Sequence, residues 1–156
     1  MERWKHIFIK FENFNLPNNN AFDKYYNGHQ NNLAHYFRHL YMIIRYLNEQ
    51  DSLNYDDKWE YSKLLRTQLS NHEQELFFLN SISIVGRDWE FSKTDENEKL
   101  ITKYDLIKNI TKAIRDKYKI EDYYPNVVYE DYKINTKVRE SLENKFREND
   151  KKIFNV

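Results

Sequence analysis

The chain has no cysteine, only two glycines and two prolines in 156 residues, no excess charge of either sign and no long hydrophobic run. Without cysteine there is neither a disulfide framework nor a thiolate metal site, and a reducing compartment is the natural expectation. So little glycine and proline disfavours turn-dense sandwiches and barrels and favours helices. Lys plus Arg equals Asp plus Glu at 25 each, so no global field draws in nucleic acid or anionic lipid. Any RNA contact has to be local. The best apolar stretches, LYMIIRYL from Leu40 and LFFLNSISIVG from Leu76, carry polar groups and fall well short of the roughly 20 residues a spanning helix needs. The opening MERWKHIFIKFENF has no sustained apolar core and no small-residue cleavage site, so no signal peptide is read. A cytoplasmic protein with no membrane partner is expected.

Aromatic residues, by contrast, are abundant. Thirteen Tyr, ten Phe and three Trp argue against disorder and for one domain, 1–156, with an ordinary core. Residues Lys5–Phe14 alternate weakly, with Ile7, Ile9 and Phe11 on one side, and suggest a short N-terminal strand or extended arm. Asn20 is a candidate N-cap. From Ala21 to about Asn48, the residues Phe22, Tyr25, Tyr26, Leu33, Phe37, Leu40, Ile44 and Leu47 recur at the three- and four-residue steps of a buried helix face. A second long helix is expected from Asp57 to Ser81, with Trp59, Leu64 or Leu65, Leu69, Leu76 and Leu79 inward. Residues 85–97 read as a loop. A third helix is expected from Glu98 to about Tyr118, irregular chain or a short strand around Pro125, and a charged helix from Thr136 to about Asn149. These elements predict an all-α, antiparallel helical bundle.

One segment of the second helix stands out. In KLLRTQLSNHEQELFFLN, the residues Arg66, Gln68, Ser70, Asn71, His72 and Glu73 interrupt the apolar stripe together. Arg66 and His72 are the minimal pair for metal-independent RNA cleavage: the imidazole can move a proton and the guanidinium can stabilise charge on the phosphate. On one straight helix six steps leave their side-chain directions roughly 120° apart, so a bend or a facing second subunit has to bring them together. The alternative is a polar helix face without chemistry. Arg66, Ser70, Glu73 and Phe77 lie near one line, so Glu73 can equally serve a structural pair. Arg38, beside the apolar face of the first helix, calls for a partner, and Glu73 is the candidate. His35 and His39 stand at i and i+4, as two ligands of one metal do. No HExxH pattern accompanies them, so one interior and one exposed histidine is the expectation, with no metal and no cofactor. Leu76, Phe77, Phe78 and Leu79 are consecutive, and one helix cannot turn all four inward, so self-association through this helix is expected.

His35, Tyr36, Phe37, Arg38, Leu40 and Tyr41 form an HYFR-x-LY signature. Arg66, Gln68, Leu69, Ser70 and Glu73 form an R-x-QLS-x-x-E signature, followed by Asn80 in FFLNSIS. With these motifs in this order the chain resembles the phage abortive-infection (AbiC-like) family over roughly Phe22–Asn109, leaving about 110–156 as a C-terminal helical extension. The resemblance implies a role in defence against phage. The helical region is also similar to the HEPN superfamily, whose RNases carry an R-x(4–6)-H motif at a dimer cleft, and Arg66-TQLSN-His72 matches that pattern. On this reading Arg66 and His72 are catalytic, and Arg38, Gln68, Ser70, Glu73 and Asn80 form a supporting polar cluster. The expected protein is then a homodimeric endoribonuclease toxin acting on RNA. The alternative is a non-catalytic module that senses a phage trigger, binds a protein partner or inhibits a toxin in a toxin–antitoxin pair.

Overall fold

Residues Gln30–Asn48 form a single helix, α1, whose buried residues Phe37, Leu40 and Ile44 recur at three- and four-residue steps, as the sequence pattern predicts. The computed structural model describes residues 30–83, 86–90, 99–130 and 136–153. The arm at Lys5–Phe14, the Asn20 cap and the start of the first helix lie outside them. The chain forms two compact units, Met1–Arg38 and His39–Val156. Of the first, the described residues are the opening turns of α1, where the rings of Tyr36 and Phe37 meet edge to face at 5.2 Å.

The second unit holds the remaining elements. Helix α2, Tyr55–Gln68, begins at Asn54, whose side chain accepts the Asp57 N–H, with Asp56 and Asp57 complementing the dipole in its first turn. Helix α3 is Asn71–Ser81. The continuous helix expected from Asp57 to Ser81 is therefore two helices, and the reason is local. Leu69 and Ser70 are extended, at ψ 122° and 164°. Ser70 Oγ accepts the Glu73 N–H, while Glu73 Oε2 accepts from Ser70 N and Oγ at 2.8 and 2.6 Å. This reciprocal capping box satisfies donors that a new helix start leaves open.

The third helix expected over Glu98–Tyr118 is also divided. Helix α4, Leu100–Tyr104, ends where Asp105 turns left-handed at φ 50°, and α5, Lys112–Tyr118, begins after extended Thr111. Left-handed Lys119 ends α5 and leads into α6, Ile120–Tyr123. Helix α7, Thr136–Ile153, closes the chain. Seven α-helices and no strand occur among the described residues, so the fold is an all-α helical bundle, and Pro125 stands in an exposed turn. No helix among these residues is long and apolar enough to cross a membrane.

The expected loop at 85–97 contributes to the core. A 3-10 turn, Arg87–Trp89, buries the Trp89 ring edge-on against Tyr41 at 5.1 Å and Phe77 at 4.6 Å. Phe78 points elsewhere, meeting Tyr118, Tyr123 and Tyr124 at 5.6–6.1 Å. With packing on both sides, Phe77 and Phe78 are buried and Leu76 and Leu79 half-buried. The chain itself thus covers Phe77 and Phe78 fully and Leu76 and Leu79 in part.

Gly86 sets up this turn. A Cβ placed there would lie 2.1 Å from the Asn80 carbonyl oxygen, a backbone atom that cannot rotate away. Gly86→Ala should therefore cost about 2 kcal/mol, as overpacking typically does. A urea midpoint unchanged from wild type would refute the close approach.

Candidate functional site

Helix α2 turns an unexpected face inward. Its buried residues are Tyr55, Lys58, Ser62 and Arg66, whereas Leu64 is 63% exposed and Trp59, Leu65 and Leu69 are only half-buried. The sequence pattern placed Trp59, Leu64 or Leu65, and Leu69 inside. The correction has a physical cause in α4. All five α4 residues are buried, and a helix this short makes almost no internal hydrogen bonds, so nearly all its backbone groups need outside partners. Side chains from distant elements supply them.

At the C-terminal end, four consecutive carbonyls are capped. Arg139 Nη1 donates to Thr102 O at 3.0 Å, Tyr55 Oη to Lys103 O at 3.1 Å, and Arg66 Nη1 to Tyr104 O and Asp105 O at 3.2 and 3.1 Å. Two guanidiniums at a helix C-terminus also match its dipole. Arg139 Nη2 pairs with Asp105 Oδ2 at 2.9 Å, and Asp105 Oδ1 accepts the Val128 N–H at 3.1 Å. Burial pushes the Asp105 carboxyl up to about 6, against the pull of Arg139, the Val128 amide and Arg66. It therefore stays largely ionised at neutral pH.

At the N-terminal end the sign reverses. Buried Glu90 accepts the Thr102 N–H at 3.0 Å and the Thr102 hydroxyl, placing a carboxylate at the amide end of α4. Desolvation dominates there and pushes Glu90 up to about 7, although both Thr102 donors oppose it.

Arg66 is thus a backbone clamp. Its guanidinium lies 5.3 Å from the centre of the Trp59 ring and is 4% exposed, and burial draws its pKa below the ordinary arginine value. Its Nε is buried without a hydrogen-bond partner among the described residues. His72 is the second residue of α3, beyond the Leu69–Ser70 break, and is exposed. Neither a hydrogen bond nor an ion pair joins Arg66 to His72 among the described residues.

The other candidates are dispersed. Ser70 and Glu73 meet in the capping box, with Glu73 half-buried. Gln68 is exposed at the end of α2, and Arg38 is exposed as well, so burial does not demand a partner for it. Asn80 is buried, and its carbonyl accepts Ser83 N and Oγ at 2.9 and 2.6 Å. His35 and His39 are both exposed, where one interior histidine was expected. No group of three His, Asp or Glu able to hold a metal occurs among the described residues.

Sequence reasoning missed Glu90, Asp105, Arg139 and Tyr55. One signal was available: Tyr55, Lys58, Ser62 and Arg66 recur at helical spacing, a polar stripe as regular as an apolar one.

Residues 28–114 match the model of the family described as "Putative phage abortive infection protein". No curated protein and no solved structure matches the chain. The matched region runs from α1 into α5 and holds both signatures together with Tyr55, Arg66, Glu90 and Asp105; α7, with Arg139, lies beyond it. Since the match spans more than half of the chain, the protein belongs to this phage abortive-infection family.

Proposed function

We propose that this chain acts in cytoplasmic phage defence as a non-catalytic interaction module. The observation that carries this reading is the position of Arg66. Its guanidinium is buried against Trp59 and engaged on two carbonyls of the core, so it is not presented to a phosphate as RNA cleavage requires. The R-x-QLS-x-x-E signature then describes a clamp followed by a helix junction, Arg66 for α4 and Ser70 with Glu73 for the start of α3. Meanwhile α1 turns Met42 and Tyr46 to solvent, 53% and 67% exposed, and α2 does the same with Tyr61 and Leu64, 55% and 63% exposed. Large apolar groups of this kind are what a protein partner buries. The partner is a second copy of the chain, a phage component or a toxin held in check.

Phage challenge of cells carrying variants tests the reading. His72→Ala should keep full protection. Tyr46→Asp combined with Leu64→Asp should abolish protection while the purified chain melts as wild type. A stable His72→Ala chain that loses protection would overturn the proposal in favour of a metal-independent endoribonuclease. In that case RNA cleavage in the presence of chelator should fall about 10²–10⁴-fold in the variant. Sedimentation identifies the partner as a second copy if a wild-type dimer becomes monomeric in the double variant.

A further inference from the structure

Helix α7 is held in an unusual way. Its buried residues with described side chains are Arg139 and Asp150, whereas Leu142 and Phe146 are half-buried and Val138 is 47% exposed. A helix usually docks by an apolar stripe. This one stacks Phe146 on Tyr55 at 5.7 Å and adds charge at both ends, by Arg139 to Asp105 near one end and by Asp150 near the other.

Asp150 sits between two buried ammonium groups. Lys58 Nζ is 3.4 Å from Oδ2 and Lys103 Nζ is 3.4 Å from Oδ1. Both lysines are also held by Asn48, outside α7. Lys58 donates to the Asn48 backbone carbonyl at 3.0 Å, and Lys103 donates to Asn48 Oδ1 at 2.9 Å, an oxygen that also accepts the Tyr104 hydroxyl at 2.8 Å. The cradle therefore belongs to α1, α2 and α4, inside the region that matches the family, and the carboxylate comes from outside it. Two features mark Asp150 as an imperfect occupant. Its contacts are longer than the roughly 2.7–2.9 Å of a good charge-assisted hydrogen bond. Its Oδ2 is buried without a hydrogen-bond partner among the described residues.

We propose that Lys58 and Lys103, set by Asn48, form an oxyanion-binding site that Asp150 fills as an internal ligand. A carboxylate or phosphate group from outside takes the same place when the end of α7 lifts away. The ligand class follows from the cradle: two ammonium groups, each 3.4 Å from one of the two oxygens of a single group, which a carboxylate and a phosphate both supply. Helix α7 is then a strap whose release exchanges an internal anion for an external one.

The test is chemical rescue in the full-length chain. Asp150→Ala removes the carboxylate that both buried ammonium groups face, and its melting temperature should fall by roughly 10 °C. Acetate or inorganic phosphate, at ionic strength matched with sodium chloride, should restore at least half of that loss along a saturating curve. Subtracting the wild-type shift in the same buffer removes the general salting effect of phosphate. Rescue should disappear in Asp150→Ala combined with Lys58→Met. A larger gain from phosphate identifies a phosphate-bearing ligand, and a larger gain from acetate identifies an acidic side chain. Equal melting in acetate, phosphate and chloride would overturn the proposal, as would rescue that survives in the double variant. If Asp150→Ala does not fold in chloride, refolding yield replaces melting temperature: recovery specific to acetate or phosphate supports the site, and equal recovery in all three salts overturns it.

Discussion

Arg66→Ala is expected to destabilise the chain by about 2–4 kcal/mol, the larger part arising from the Tyr104 carbonyl left buried without its donor, since the Asp105 carbonyl keeps the Lys108 N–H at 3.0 Å. Each unsatisfied acceptor costs about 1–3 kcal/mol, and packing against Trp59 is lost as well. Arg66→Lys should recover only part of this, because one ammonium point replaces a planar fork and stacks less well on the indole. Urea denaturation of the purified variants measures the series. Phage protection in cells should decline in parallel with the fraction of folded protein. A fully stable Arg66→Ala chain that no longer protects would return the guanidinium to a chemical role.

The second large effect lies in pH dependence. Glu90 has its carboxyl pushed up from the ordinary 4.5 to about 7 by burial. An acid whose pKa is raised on folding binds its proton more tightly in the folded state. Its contribution is therefore fully present below about 4.5 and is lost as pH rises through about 7. The difference corresponds to about 3 kcal/mol between the two plateaus. Asp105, raised to about 6, adds a smaller fall of the same sign that is complete at lower pH. Glu90→Gln removes the upper part of the slope. The introduced amide keeps a carbonyl for the Thr102 N–H, and the Thr102 hydroxyl can rotate to meet the other side of the amide. This variant should be more stable than wild type at pH 8 and nearly equal to it at pH 5. Melting temperatures across that range decide it: parallel curves for the two proteins would mean that Glu90 does not titrate near neutrality.

Both effects come from the same feature, a five-residue helix surrounded on every side. A carboxylate at its amide end and two guanidiniums at its carbonyl end satisfy groups that water satisfies in an exposed helix. Buried charges of this kind are costly individually and are retained where the backbone around them has no other partner.

Much of the molecule was legible in the amino-acid sequence. Two glycines and two prolines, with apolar residues at three- and four-residue steps, were enough for the all-α class and for the buried face of α1 at Phe37, Leu40 and Ile44. HYFR-x-LY followed by R-x-QLS-x-x-E was enough for the family. The start of α3 was also legible, since Ser70-x-x-Glu73 is a capping-box pattern. The apolar periodicity running through Leu69 and Leu76 obscured it. What only the tertiary structure decided is which face of α2 is buried and what Arg66 does. Periodicity reports the local alternation of side chains and does not record which distant backbone groups lack partners. The carbonyls that hold Arg66 are 38 and 39 residues away, and those that need Arg139 and Tyr55 are 37 and 48 away. Their unmet hydrogen bonds exist only once α4 is enclosed, and that demand turns a polar stripe inward while Leu64 faces the solvent.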